Sequence, residues 1–348
     1  MFKKKRSSKN SSVVGLELDP SHVAAAEVAV NGSITVTRGA RAPLAPGVIR
    51  DGEVADAQAL TDTLKTLFAE HDLPRRVRLG ISNQRIVVRA LDLPLLEDPK
   101  ELAAAVKVEA PDHIPMPMDE AILDFQPLGT VVNAAGQERS RVVVVAVRRE
   151  MIDRIVGATK QAGLQLEGID LSAFAMVRAV GADDKDAVLY ANVAGITNAA
   201  VANGSGCLFT RAAAGGLDSM VHTLCERGGL TTEHAREWLK HVGLAKSVEE
   251  VEGDEAIVAA TRTVLEEGVH HLADTLRNSL NFYRTQESSE RVERGVVTGP
   301  VVEIPGFVEQ LSAELRLPLE HAAVDVADEQ GSPALLTIAA GLAVEARP

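Results

Sequence analysis

The sequence predicts an α/β protein of two lobes, with a small α+β subdomain inserted into the first. Three observations support this prediction. The chain has 348 residues, more than one hydrophobic core usually serves. A set of three short strands recurs late in the chain, and a distinct mixed block separates the two copies. Hydrophobic residues make up 46% of the chain and aromatic residues only 3%, so we expect cores of aliphatic side chains.

The repeated unit is an apolar strand, a second strand, and a third strand that follows a tight turn. That turn is Asn31-Gly32 in the first copy and Asn203-Gly204 in the second, and both residue types tolerate positive φ. Thr-Arg follows the third strand both times. The predicted strands are 13–18, 23–30 and 33–37 in the first copy and 187–193, 198–202 and 206–210 in the second. We interpret this as an internal duplication; chance similarity of two hairpin sheets is the alternative.

The block at 84–163 is expected to fold as strand, helix, two strands and helix. Its first helix begins with Asp98 as N-cap and Pro99 at the first position, and we expect Pro111 to end it at Ala110. Gly163 ends the second helix. The predicted elements are strand 86–93, helix 99–110, strands 121–128 and 141–147, and helix 149–162.

Helices dominate the chain after the second copy. They are expected at 217–227, 233–242, 254–284, 306–315 and 333–344, with a buried strand at 296–298. The predicted organisation is a disordered basic tail (1–12), a first lobe (13–83 and 164–185) interrupted by the insert (84–163), a second lobe (186–332) with a helical subdomain (217–290), and a carboxy-terminal helix returning to the first lobe (333–348).

Composition excludes several classes of function. The formal net charge is −13, with a basic stretch only in the tail, so we expect no nucleic-acid binding. No apolar run reaches the ~18 residues that a membrane span needs. Two cysteines without metal-ligand spacing fit a reducing compartment, and we expect no metal site. We therefore expect a cytoplasmic protein, or one that is attached to a membrane from that side.

The segment LDLPLLEDPKELAAAVKVEAPDHIPMPMDEAILDFQPLG, residues 91–129, resembles the family of type IV pilus assembly proteins named PilM. The resemblance continues through APGVIRDGEVAD at 45–56 and TIAAGLAV at 337–344. It implies an actin-like ATPase fold (a duplicated ribonuclease H-like fold), similar to that of the cell-division protein FtsA. The block at 84–163 would be the small subdomain characteristic of that group.

The resemblance also implies a role and partners. The protein would be a cytoplasmic scaffold peripheral to the inner face of the cytoplasmic membrane. It would dock the cytosolic amino-terminal peptide of a PilN-like membrane protein in a groove beside the insert, and contact other pilus platform proteins; self-association stays open. Our candidates for the groove are Leu93, Pro94, Ile114 and Pro115, with plain packing as the alternative role.

In this family the first phosphate loop reads Asp-x-Gly-Ser, where this chain has Glu17, Leu18, Asp19 and Pro20. Asp19 puts negative charge where phosphate should come, and two unit charges ~4 Å apart repel by roughly 4 kcal/mol at an effective dielectric near 20. Pro20 removes one N–H donor, for which Ser21 could compensate.

The other nucleotide-binding positions differ from the family pattern only in part. The second loop has Asn192 in place of an aspartate, and the third keeps a single glycine, Gly299. Gly215 and Gly216 are retained. So are Glu237 and Lys240, an i,i+3 helical pair where relatives contact the nucleoside, although a surface salt bridge explains that pair equally well. We predict a degenerate cleft and no cofactor. An active ATPase using ATP and Mg²⁺ is the alternative, and a small-molecule kinase is the least favoured.

Overall fold

The computed structural model describes residues 12–133, 135–181, 185–286, 289–327 and 332–345. The basic tail predicted to be disordered therefore lies outside the described residues, apart from Ser12. The strands of the described residues are β1 (Val14–Leu18), β2 (His22–Asn31), β3 (Ser33–Pro43), β4 (Ile49–Arg50), β5 (Glu53–Val54), β6 (Arg76–Ile81), β7 (Val87–Pro94), β8 (Ala121–Val132), β9 (Glu138–Arg148), β10 (Gln165–Leu171), β11 (Val188–Val193), β12 (Ile196–Asn203), β13 (Gly206–Ala214), β14 (Gly295–Thr298), β15 (Leu319–His321) and β16 (Asp325–Val326).

The helices lie between groups of these strands. They are α1 (Ala57–Glu70), α2 (Pro99–His113), α3 (Arg149–Gln161), α4 (Ser172–Val180), α5 (Leu217–Gly228), α6 (Thr232–Val242), α7 (Glu255–Arg284), α8 (Phe307–Leu315) and α9 (Thr337–Ala343). In the part of the chain that the structure describes, α5, α6 and α7 follow one another without a strand between them. No helix of the described residues is long and apolar enough to cross a lipid bilayer.

Two sheets of the same design form the two lobes. The first has the order β10-β6-β1-β2-β3-β16 and the second β13-β12-β11-β14-β15. In each, three antiparallel strands are followed by parallel strands, β6 and β10 in the first and β14 and β15 in the second. Helices α4 and α9 pack between the sheets, where Met176, Ile338 and Leu342 share one core with Val188 and Tyr190. The duplication read from the two hairpin turns is thus present in the strand order.

The insert has a sheet of its own, in the order β7-β9-β8. One face packs against α2 through a cluster that includes Leu102, Val106 and Val144. The first turn of α2 is capped by Asp98, whose side chain accepts from the Lys100 N–H at 2.8 Å. All five elements predicted for the insert are present; the first strand is shifted by one residue, and the other two strands are longer than predicted.

Three expectations were wrong in detail. The helix after Asp98 does not stop at Pro111 but continues to His113, because Ala110 and Ile114 are buried and hold its last turn against the core. The third strand of each copy does not end at Thr37 or Thr210 as predicted: β3 continues through a bulge after Val36 to Pro43, and β13 reaches Ala214. Finally, β16 lies in the segment assigned to the second lobe, yet it pairs with β3 in the first sheet.

Candidate functional site

The β1–β2 turn is the first of the two hairpin turns that face each other between the lobes. It is a tight turn, since the Asp19 N–H donates to the His22 carbonyl at 2.9 Å and the His22 N–H donates to the Asp19 carbonyl at 3.3 Å. Pro20 and Ser21 form its tip. Asp19 is only 4% exposed and adopts a negative φ, unlike the glycine of a phosphate loop.

The Asp19 carboxylate occupies the space between the two hairpin turns. It accepts hydrogen bonds from the Ser21 N–H at 3.0 Å and the Ser21 hydroxyl at 2.8 Å. It also accepts from the N–H of Gly195, in the β11–β12 turn, at 3.0 Å. A β-carbon at position 195 would lie 2.5 Å from Asp19 Oδ1, so this approach requires glycine. One carboxylate thus satisfies N–H groups from both turns and joins the two lobes.

Two further ionisable groups are buried beside Asp19. Burial raises the pKa of Glu17 to about 8, with His22 lowering it and Asp19 adding to the rise. Burial opposes the ionisation of Asp19 and His22, but their mutual hydrogen bond and charges outweigh it. The pKa of Asp19 is therefore lowered and that of His22 raised, with the Asp19–His22 contact at 3.4 Å. Burial therefore favours the protonated form of Glu17, and the contact between Asp19 and His22 favours their ion pair.

The glycines predicted for the other loops do surround this point. Gly216 precedes α5 and lies against the Ala194 carbonyl, where a β-carbon would clash. Gly299 has a φ of +88°, and a β-carbon there would lie 2.5 Å from the Asn192 side-chain oxygen. Asn192 is buried beneath that loop. Gly215 lies next to Gly216, at the end of β13, with a φ of +82°. The structure therefore brings Asn192, Gly299, Gly215 and Gly216 to the same region as Asp19.

The alternative reading of Glu237 and Lys240, a salt bridge along α6, is not present among the described residues. Lys240 makes its ion pair with Glu303, from the turn after β14, and Glu303 also accepts from Ser332. Glu237 is exposed on the same helix. The reason is that α6 presents Lys240 to the residues after Gly299, where a carboxylate is closer than the one along its own helix. One turn earlier, Arg236 pairs with Asp218 of α5.

These cations surround a cavity of about 330 Å³ between the lobes, which we call the interlobe cavity. The first lobe contributes Gly39, Ala40 and Arg41 of β3 and His71 after α1. The remaining lining residues are Leu217, Arg236, Lys240, Pro300, Glu303, Ile304, Ser332, Leu335 and Leu336. Its interior wall is apolar and its rim is mainly cationic.

A larger groove of about 880 Å³ lies beside the insert; we call it the insert groove. Its walls are Gln84–Arg89, Pro115, Met116 and Arg148 on the insert side, and Phe209–Ala214, His271, Thr275, Asn278 and Phe282 on the second lobe. Of the four predicted groove residues, only Pro115 lines it. Leu93 and Ile114 are buried in the core of the insert, and Pro94 is exposed elsewhere.

Several residues that shape these sites were missed at the sequence level. Arg41, Arg236 and Glu303 line the interlobe cavity. The Gly195 N–H donates a hydrogen bond to the Asp19 carboxylate. A local signal existed for Gly195, which lies close after Asn192 in the second loop. No local signal existed for Arg41 and Arg236, because they come together only when distant segments of the chain fold.

Comparison with known proteins supplies independent information. Residues 15–328 match the family described as type IV pilus assembly protein PilM. Among solved structures, the "PilM-PilN type IV pilus biogenesis complex" is 26% identical, with a TM-score of 0.77, and the alignment covers 95% of this chain and 97% of that chain.

Two more distant structures share the fold alone. Ethanolamine utilization protein EutJ from Carboxydothermus hydrogenoformans is 17% identical, with a TM-score of 0.52 and coverage of 95% of this chain and 88% of that chain. MreB5 of Spiroplasma citri bound to AMPPNP is 13% identical, with a TM-score of 0.55 and coverage of 96% and 95%. These similarities confirm the predicted actin-like two-lobed fold.

Proposed function

Because this chain belongs to the PilM family of type IV pilus assembly proteins, we propose that it is a scaffold of the pilus assembly platform that binds the cytosolic amino-terminal peptide of a PilN-like membrane protein. Its place would be the inner face of the cytoplasmic membrane, which it would reach through that partner. The observation that carries the proposal is the insert groove, in a chain similar to a PilM–PilN complex.

The insert groove is bounded by the edges of two sheets. Strand β13 is the edge of the second sheet and β7 is the edge of the insert sheet. Edge strands carry backbone groups available to an added strand, and extended peptides commonly bind in this way. A peptide lying between β7 and β13 would gain main-chain hydrogen bonds from either edge.

The side chains of the insert groove suit an extended peptide. It contains four arginines, Arg85, Arg89, Arg148 and Arg211, and no carboxylate among its described lining residues. Arginine side chains can donate to peptide carbonyl groups. Phe282 offers an apolar contact, because it is 45% exposed while its ring lies 6.0 Å from that of Phe209.

Peptide binding tests the proposal. We expect a fluorescently labelled amino-terminal peptide of the PilN-like partner to bind the full chain, measured by anisotropy. Phe282→Ser should weaken binding about tenfold, because aromatic anchors dominate such interfaces. Val108→Ser is the matched control, since Val108 is 77% exposed on α2, outside the groove. Equal affinity of both variants and the wild type would place the peptide elsewhere.

We also propose that the phosphate loops do not take a magnesium triphosphate. The Gly195 and Ser21 N–H groups already donate to Asp19, so an incoming phosphate would have to displace a buried carboxylate. Glu17, at the position of the family's metal-binding aspartate, is held mostly protonated by burial and is a poor Mg²⁺ ligand in that state. The same contacts would hold the two lobes together without nucleotide.

A further inference from the structure

We propose that Asn31 is a site of spontaneous chemical modification, where the side-chain amide is lost and aspartate and isoaspartate form. The same tripeptide, Asn-Gly-Ser, begins at Asn203 in the second lobe, where the structure protects it. The inference rests on the different surroundings of these two turns of identical sequence. It does not depend on peptide binding in the insert groove or on the state of the phosphate loops.

The reaction needs an asparagine followed by a residue whose peptide nitrogen is accessible. That nitrogen attacks Cγ of the asparagine, the Cγ–Nδ2 bond breaks, and ammonia leaves with the proton of the attacking nitrogen. Water then opens the cyclic succinimide at either of its carbonyl groups, which gives aspartate or isoaspartate. The sequence of steps involves no oxidation or reduction, and its co-reactant is water. Glycine is the most permissive residue to follow the asparagine, because it has no β-carbon.

The turn at Asn31 leaves the reacting groups accessible. Strand β2 ends at Asn31 and β3 begins at Ser33, so Gly32 alone connects them, and all three residues are exposed. The Asn31 side chain forms no hydrogen bond with any residue that the structure describes. A β-carbon built at Gly32 would meet nothing within 4 Å apart from the adjacent residues. A ring that forms at this turn therefore has open space around it.

The equivalent side chain in the second lobe is held by hydrogen bonds on both sides of its amide. The Asn203 amide nitrogen donates to the two carboxylate oxygens of Glu290, at 2.9 and 3.1 Å. Its amide oxygen accepts from the Ser205 N–H at 2.9 Å and from the Ser205 hydroxyl at 2.6 Å. Ring closure must turn this amide toward the Gly204 nitrogen, and ammonia cannot leave until the bonds to Glu290 have broken. The turn at Asn203 therefore resists the reaction.

Glu290 is anchored to the core of the second lobe. Its N–H donates to the hydroxyl of Tyr283 at 2.9 Å, and Tyr283 is only 1% exposed. Loss of the Asn203 amide would also place a carboxylate opposite the carboxylate of Glu290, and like charges at that distance repel. The structure therefore disfavours both the ring closure and its product at Asn203.

Conversion at Asn31 would change the tip of the first lobe. Either product adds one negative charge to a chain whose net charge is −13. Isoaspartate also adds one carbon to the main chain beside Val30, which disturbs the pairing of Val30 with Ile34 next to the turn. An exposed isoaspartyl carboxylate is the class of group that repair methyltransferases methylate with S-adenosylmethionine, so the product is a substrate for such an enzyme.

Mass spectrometry of the full chain after incubation in mildly alkaline buffer tests the inference. The two asparagines fall in separate tryptic peptides, residues 10–38 and 186–211, and tandem spectra locate the gain of mass. We expect Asn31 to convert at least ~tenfold faster than Asn203, because hydrogen bonds to a charged group must first break at Asn203. Methylation by an isoaspartate methyltransferase with labelled S-adenosylmethionine should mark the peptide that contains Asn31.

Two further measurements separate the effect of structure from that of sequence. Glu290→Ala should speed the conversion of Asn203 about tenfold. Glu293→Ala is the matched control, because Glu293 pairs with Arg291, and circular dichroism verifies that both variants are folded. In urea the two sites should convert at similar rates, since both read Asn-Gly-Ser. An unreactive Asn31, equal rates at both sites in the folded chain, an Asn203 rate unchanged in Glu290→Ala, or a difference that persists in urea would each overturn the inference.

Discussion

Glu17→Gln should stabilise the protein, and the gain should grow with pH. Glu17 is 6% exposed, and burial raises its pKa from 4.5 to about 8. In the unfolded chain the carboxyl loses its proton near its ordinary pKa, whereas the folded state must keep the proton until about pH 8. The stability that the wild type has below pH 4.5 is therefore lost as pH rises through the folded-state pKa. A neutral glutamine of the same shape has no such penalty.

The magnitude follows from the shift in pKa. At 1.36 kcal/mol per pKa unit, the penalty removed by the amide is about 1 kcal/mol at pH 5 and about 4 kcal/mol at pH 8. Urea denaturation followed by circular dichroism at pH 5, 6, 7 and 8 measures it. Glu237→Gln is the matched control, because Glu237 is exposed on α6. A difference between Glu17→Gln and wild type that is the same at pH 5 and pH 8 would refute the reasoning.

Three substitutions test other parts of the structure, each by urea denaturation at pH 7. Asp19→Ala should cost about 1–3 kcal/mol, because the partly buried N–H of Gly195 loses its acceptor. Since the Asp19 pKa is lowered, this contribution in the wild type should vanish in acid below the ordinary pKa of the carboxyl. A variant as stable as wild type at pH 7 would contradict the interlobe bond. Gly157→Ala should stabilise α3 by about 0.5–1 kcal/mol, because an added methyl meets open space. Gly341→Ala should destabilise instead, because its methyl would collide with the Ala175 carbonyl, and equal effects of the two alanines would contradict the packing of α9.

The fold was predictable where its signals are local. The Asn-Gly pairs mark the same connection in both sheets, between the second and third strands, and the strand order then repeats. Of these four residues only Gly32 has a positive φ. The Asp98 cap likewise needs only neighbouring residues. Pro111 shows the limit of local rules. Its ring disfavours a continuing helix, but burial of Ala110 and Ile114 outweighs that preference over a single turn.

The site was predictable only in part, because most of its contacts join residues that are distant in sequence. Asp19 and Pro20 indicate a changed phosphate loop from sequence alone, but the hydrogen bond from Asp19 to Gly195 joins residues 176 positions apart. The ion pair of Lys240 with Glu303 had no local signal, because the two residues are 63 positions apart. Leu93 and Ile114 are buried in the core of the insert and do not line the insert groove; from sequence alone, an apolar residue that lines a groove cannot be told from one that supports it.

Binding of the partner peptide with and without nucleotide tests the central claim most directly. The labelled amino-terminal peptide of the PilN-like protein is titrated with the full chain, first alone and then with millimolar ATP and Mg²⁺. We predict the same dissociation constant in both titrations, because Asp19 already bridges the hairpin turns that a triphosphate would otherwise join. Peptide binding that occurs only with Mg²⁺ and ATP, or no peptide binding under either condition, would contradict it.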